Sequence, residues 1–436
     1  MRKLFALLLG LALVPAVVGQ NADPISGKWL VTRDEYGNPL YQRLTLQLEN
    51  GKLSGNFAGD KLEGTLGGNS IHFIARDEDS NTSEFTGTLN GNSIAGKLVE
   101  TDVSNPKDKN ESQMIATRSP ERRPGTGKLH EFTPTVFYRQ FSASNKPVLQ
   151  IAPGDTVHTS TVDAGGTDEH GVRRVLGGNP ETGPFYVETA WPGDILIVRF
   201  NRIRLNRDYA ISDDAIVERA LDNDMSVTMK DAGKSVRWHL DRQRMVATSE
   251  KPGDHLKQFE VPLRPMLGCV ATAPGFASAP PPTGDSGRWG GNMDFNGIVE
   301  GVTVYLPVNQ PGALLYVGDG HAAQGDGELN GDALETSMDV EFTVDVIHDK
   351  RIRTPRVESG TEIITVGLGG SLEDALRTAT SGMSQWLEQD YGLTPSEIAQ
   401  VLGTSARFDI SEVADRNAGV AARLSKDRLQ PLARKQ

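Results

Sequence analysis

The residues best suited to chemistry gather in one stretch, Gly318-Asp-Gly-His-Ala-Ala-Gln-Gly-Asp-Gly-Glu328. Asp319, His321, Gln324, Asp326 and Glu328 stand there among four glycines. Three carboxylates and an imidazole held together repel or perturb one another unless a cation or a shared proton offsets the charge. An apolar run, residues 313–317, precedes the stretch and reads as a strand, which places the motif on a loop where a scaffold aims side chains at a ligand. Glycines in such a loop permit the positive-φ turns that let side chains converge. The blander alternative is a Gly/Asp-rich surface turn whose carboxylates face water. The uncharged Ala-Ala-Gln insert and the apolar strand before it favour a site.

Three further segments carry candidates. In Arg288-Trp-Gly-Gly-Asn-Met-Asp294, Asn292 and Asp294 are two apart and point the same way if the chain runs extended. Asp163 ends an alternating run, residues 156–161, and is equally compatible with a turn former. Asn179-Pro-Glu-Thr-Gly-Pro-Phe-Tyr-Val-Glu188 ends on an acid that also suits a solvated strand position. Other catalytic schemes fare worse. The single cysteine, Cys269, lies in Met266-Leu-Gly-Cys-Val270, an apolar setting for an inert thiol and not for an activated nucleophile. Gly-x-Ser-x-Gly, His-Glu-x-x-His and paired-cysteine motifs are missing. A carboxylate/histidine metal site is the scheme that survives.

The elements that must position these residues are mostly strands. Gly (47) and Pro (24) are plentiful and aromatics scarce at 6%, which favours turns and short strands over helical bundles. Strand signals recur at 148–151, 156–161, 195–204, 298–306, 313–317, 337–346 and 362–367. Pro153-Gly-Asp155 and Pro192-Gly-Asp194 repeat one turn, in which aspartate bonds its own backbone. A helix is expected after Ser371, an N-cap candidate, stopping at Gly392, with a second from Thr394-Pro395-Ser396-Glu397. Both are expected to pack on the sheet.

Residues 20–118 form a separate block of short alternating runs, at 41–48, 52–57, 61–66, 70–75, 83–89 and 93–99. Within it Gly64-Thr-Leu-Gly-Gly-Asn-Ser-Ile71 recurs as Gly87-Thr-Leu-Asn-Gly-Asn-Ser-Ile94, each copy a strand, a turn and the start of the next strand. Such a repeat describes an up-and-down, barrel-like meander. The charged, turn-rich stretch 101–128 reads as the end of that block and, over 119–128, a linker to the body 129–436. The fold class expected is mainly β: packed, sandwich-like sheets with some α/β elaboration and C-terminal helices, behind the small barrel-like block.

Arg2 and Lys3 followed by an apolar run over residues 4–18, with small residues before Gln20, read as a signal peptide, 1–19. A run of about 15 residues is short of the roughly 20 a spanning helix needs, so a processed periplasmic or secreted protein with no membrane insertion is expected. The formal charge of -12 repels nucleic acid and anionic membranes, and one cysteine excludes an internal disulfide.

Taken together, Gly290-Gly-Asn-Met-Asp294, Tyr305-Leu-Pro-Val308, Pro311-Gly-Ala-Leu-Leu315 and the 318–328 motif resemble the acetamidase/formamidase family in order and spacing, and Gly183-Pro-Phe-Tyr-Val-Glu188 and Pro192-Gly-Asp194 add to the likeness. It covers roughly residues 130–431. The resemblance implies hydrolysis of short aliphatic amides to acid and ammonia, a β-rich fold of packed sheets, oligomers, and a divalent metal, zinc and/or calcium, near the acids. It carries over Asp163, Asn292, Asp294, Asp319, His321, Asp326 and Glu328. On that footing Asp163, Asp294, Asp319 and His321 are expected as ligands, Glu328 as general base with Asp326 second, and Asn292 and Gln324 as partners of the amide or oxyanion. Many relatives have His-Pro where this chain has Asn179-Pro180. Two other readings stay open: a non-catalytic exported binding protein with a structural calcium, and an amidase for a larger amide.

Overall fold

A computed structural model describes residues 25–121, 125, 127–229, 233–275 and 279–432. The expected signal peptide lies outside the described residues. The chain divides into two compact units between Ser119 and Pro120.

In the first unit, period-two alternation makes strands β1 (Gly27–Glu35), β2 (Asn38–Glu49), β3 (Lys52–Phe57), β4 (Asp60–Gly67), β5 (Ser70–Arg76), β6 (Thr82–Asn90), β7 (Ser93–Thr101) and β8 (Lys109–Arg118). Each pairs antiparallel with the next, and β8 returns to β1, closing the barrel. Inward residues fill it: Phe73 lies 5.9 Å from Phe57 and 5.1 Å from Phe85, centroid to centroid. The repeat builds two equivalent hairpins, with Gly68 and Gly91 both at φ 59° in the turns. Strand β8 falls within the stretch read from sequence as block end and linker. Its inward face offers only Met114 and Ala116 as buried apolar residues while Ile115 is exposed, so its alternation is faint.

The second unit holds a seven-stranded sheet, a nine-stranded sheet and a four-stranded sheet. The strands Glu181–Val187, Leu315–His321, Met266–Ala271 and Gly290–Asn292 are neighbours in the first. In the second, Ile195–Leu205 lies between Thr303–Pro307 and Met338–Ile347. One apolar core joins these two: Phe185, Leu267 and Val317 of the first pack in the same cluster as Val198, Val304 and Phe342 of the second. Phe185 meets Phe342 edge-on at 5.3 Å. Such rings each contribute about 1.5–3 kcal/mol by burial. The sandwich is therefore a rigid mount for whatever projects from its strands.

Both expected helices form. Leu372–Tyr391 is capped by Ser371, whose side chain accepts from the Asp374 amide, and ends at Gly392 in the left-handed region. Pro395–Ser405 starts with a complete capping box, Thr394 and Glu397. The long helix lies against Glu362–Gly369, where Thr365 Oγ1 donates to the Ala379 carbonyl at 2.7 Å. The two Pro-Gly-Asp turns also match. Asp155 accepts from the Ala152 amide and Asp194 from the Trp191 amide, three residues back in each case. The strand expected over 298–306 is shorter, Thr303–Pro307, because 298–302 is taken up by turns in which Ile298 bonds Phe295 and Val302 bonds Val299.

Candidate active site

The strand Leu315–His321 ends four residues beyond the apolar run 313–317, so Gly318, Asp319, Gly320 and His321 are strand residues and not loop residues. The correction has a steric cause. A Cβ on Gly318 would lie 2.1 Å from Glu181 Oε2, and one on Gly320 would lie 2.4 Å from Met338 Cγ. Those glycines leave room for Glu181 and Met338 beside the strand that carries Asp319 and His321. Positive φ falls instead on the acids: Asp294 (39°), Asp319 (51°) and Glu328 (49°) sit in the left-handed region. L-residues there are strained, and such strain concentrates at functional sites.

Gly268, opposite Asp319 on the neighbouring strand, completes the cradle. A Cβ there would lie 2.3 Å from both Asp294 Oδ1 and Asp319 Oδ2. Gly268→Ala is expected to displace both carboxylates and to abolish divalent-cation binding, read by metal analysis, while the apolar core beneath persists by circular dichroism. Unchanged metal content would show that the gap is incidental.

The cluster built this way is buried: Asp294 and His321 are 0% exposed, Asp319 2% and Glu328 4%. Ligand atoms of Asp294, His321 and Glu328 lie within 4.8 Å of one another, and so do those of Asp319, His321 and Glu335. Asp294 joins a third group with Glu412 and Asp415. His321 Nε2 is 3.0 Å from Glu335 Oε1 and 3.5 Å from Asp319 Oδ2, while Nδ1 is 2.8 Å from Gln324 Oε1.

Electrostatics follow from this crowding. Burial, then Glu328 and Asp319, pushes Asp294 well above the usual carboxylate range. Burial does the same to Glu328, and burial, then Asp319, to Glu181. Glu335 is pushed up to about 8 by burial and Asp319, and Glu412 to about 9 by burial and Asp415. Burial lowers His321, but Glu335 and Asp319 more than offset it and raise the imidazole well above its ordinary value. Glu181 Oε1 and Oε2, Asp294 Oδ1, Asp319 Oδ1 and Glu335 Oε2 are buried with no hydrogen-bond partner. Orphaned buried carboxylate oxygens cost several kcal/mol unless a cation meets them. Asp294, Asp319 and Glu335 each approach His321, and this arrangement fits a divalent cation held by mixed N/O donors.

Comparison with known proteins agrees with this geometry. Residues 277–364 match the acetamidase/formamidase family model. That match spans Asp294, the strand Leu315–His321 and the whole 318–328 motif. Over that stretch the larger unit is similar to the acetamidase/formamidase family. Among solved structures, an acetamidase/formamidase from Thermoanaerobacter tengcongensis is 26% identical with TM-score 0.59, covering 71% of this chain and 99% of that one. An acetamidase from Bacillus halodurans is 25% identical with TM-score 0.58, covering 70% and 99%. An acetamidase from Yersinia enterocolitica is 25% identical with TM-score 0.59, covering 71% and 95%. A Schizosaccharomyces pombe protein named as a formamidase is 51% identical over 41 residues, 9% of this chain and 10% of that protein's length.

Within this site, Asp294, Asp319, His321 and Glu328 come together. Asp163 does not join them. Its Oδ2 pairs with Arg207 Nη2 at 2.7 Å and its Oδ1 accepts from the Thr167 amide, which spends the carboxylate on structure. Asp326, the second choice of base, is exposed and accepts from Asn296 Nδ2 at 2.7 Å. Both amides expected to meet substrate have their N–H groups engaged. Asn292 Nδ2 donates to Asp294 Oδ2 at 2.8 Å, confirming that the two residues share a side, and to Asp415 Oδ2 at 2.6 Å. Gln324 Nε2 donates to the Asp294 and Ser411 carbonyls at 2.6 and 3.2 Å. Sequence reasoning missed Glu181, Glu335, Glu412 and Asp415. The first two had a readable signal: Glu335 follows Ala333-Leu334, and Glu181 lies in the segment where Glu188 drew attention. Glu188 instead accepts from Gln150 Nε2 at the surface.

Proposed function

We propose that this protein hydrolyses short aliphatic amides, of the formamide and acetamide class, to carboxylate and ammonia, using water activated at the buried acid/histidine centre. The observation that carries the reading is the set of partnerless carboxylate oxygens of Asp294, Asp319 and Glu335 near His321, all three within the residues that match the family model. Asp294, Asp319 and His321 would hold the cation, Asp294 and Asp319 converging over Gly268 and each grouped with His321, with Glu335 adjacent to His321. A divalent cation bound there supplies Lewis acidity toward an amide carbonyl and toward water. Zinc suits the imidazole-containing groups, and calcium suits the all-oxygen group of Asp294, Glu412 and Asp415.

Glu328 does the proton work. Its carboxylate is almost wholly buried, and its affinity for protons is raised. Both features suit a group that takes a proton from water and delivers it to the departing nitrogen. Asn292 holds Asp294 against Asp415 and keeps that carboxylate aimed inward. The depth of the centre supports a small substrate, with half-buried Asp415 on the side nearest solvent. We also infer export directed by residues 1–19, so a mature chain that begins at Gln20 is expected by intact mass.

The test is ammonia release by purified protein from formamide, acetamide and a bulkier amide, with metal content measured before and after chelation. Turnover of the small amides that falls with chelation and returns with zinc supports the reading. Protein that keeps its metal and hydrolyses none of the three would sink it and favour a binding protein.

A further inference from the structure

The side-chain amide of Gln324 can be oriented from its surroundings alone. Its nitrogen lies against the carbonyls of Asp294 and Ser411, at 2.6 and 3.2 Å. Carbonyls only accept, so the NH2 end must face them. The oxygen is then the atom 2.8 Å from His321 Nδ1. An amide oxygen also only accepts, so Nδ1 must carry a proton. The opposite ring nitrogen, Nε2, is the one within reach of Glu335 Oε1 and Asp319 Oδ2.

We propose that Gln324 is a positioning residue that fixes His321 with Nδ1 protonated and Nε2 presented to the acids, so that a cation is bound through Nε2 alone. This rests on the metal-centre reading above and assigns Gln324 to the protein, not to the substrate. The residue is well placed for the task. It follows the strand by three residues, and its two carbonyl partners come from the loop after Asn292 and from the end of Arg407–Glu412. One amide thus ties the imidazole to two other segments that carry site acids, Asp294 and Glu412. Were the amide removed, the ring could rotate about χ2 and offer either nitrogen, and no partner would raise the basicity of Nε2.

The experiment uses the full-length protein, its Gln324→Met variant, zinc as the probe, and labelled histidine ring nitrogens observed by NMR. Zinc affinity is read by chelator competition. The zinc-loaded parent is expected to show one imidazole metallated at Nε2 with a protonated Nδ1. In Gln324→Met, which keeps side-chain volume, zinc affinity is expected to fall about 10–100-fold, the range seen when a histidine ligand loses its outer partner. Variant affinity equal to that of the parent overturns the assignment. So does a parent protein metallated through Nδ1, a measurement that does not depend on the variant folding. The two readings separate cleanly. Zinc bound through Nε2 without amide hydrolysis removes the catalytic reading and leaves Gln324 its role, whereas hydrolysis with zinc on Nδ1 does the reverse.

Discussion

Glu328→Gln is expected to fold, to keep its metal and to lose about 10²–10⁴-fold in kcat for formamide, the range that a positioned general base supplies. The substitution preserves shape and burial and removes only the capacity to take a proton. Because the loss falls on the chemical step, KM should change little. Glu328 sits at φ 49° on the turn that follows the strand, so an isosteric change leaves the strand bearing Asp319 and His321 in place. Removing one of several crowded carboxylates also relieves repulsion, so the metal-free variant should melt no lower than the metal-free parent. Asp326→Asn is the internal comparison: exposed and tied to Asn296, it should stay within about twofold of the parent, as surface polar changes usually do. Retained turnover in Glu328→Gln would move the proton-transfer role to another acid, with Glu335 the first to examine.

The comparison of these two acids shows what the sequence made legible and what it did not. Types and spacing in Gly318-Asp-Gly-His321 were enough to mark a centre, and the flanking repeats and caps were enough to place the barrel strands and both helices. Side-chain orientation was not readable. The glycines looked like turn formers, yet Gly318 and Gly320 serve to admit Glu181 and Met338, and left-handed conformations fall on Asp319 and Glu328 as well as on Gly327. Asp163 was indistinguishable from a ligand, and Asp326 from a base, until Arg207 and Asn296 appeared beside them, 44 and 30 residues away in sequence. The missed acids follow the same rule. Glu412 reaches the centre from the far end of the chain, through an edge strand whose apolar residues Phe408 and Ile410 face outward. Only tertiary pairing brings such residues in, and no local period reports it.

A divalent cation should stabilise the larger unit, and by more as pH rises. The direction follows from the acids. Glu335, Glu412 and Asp415 are raised to about 8, about 9 and about 6, chiefly by burial. Their ordinary values lie near 4, so the metal-free folded protein holds more protons than the unfolded chain across the interval between. Stability of the metal-free protein therefore falls as pH rises from about 4 through these folded values, because the buried groups must ionise together. A cation reverses the cost of ionisation and competes with the same protons, so its affinity is weak near pH 5 and strong near pH 9. At a free concentration 100-fold above Kd, binding to the folded state alone contributes about 2.7 kcal/mol, which corresponds to roughly 5 °C in the melting of a unit this size. The barrel supplies the control, since the carboxylates and imidazole of this centre all lie in the second unit. Its transition should be the same with zinc and with chelator at every pH. Calorimetry at pH 5, 7 and 9 distinguishes the outcomes. A second-unit transition that ignores zinc at pH 9 would mean that the acids share protons among themselves and that the cradle formed by Gly268 is not built for a cation.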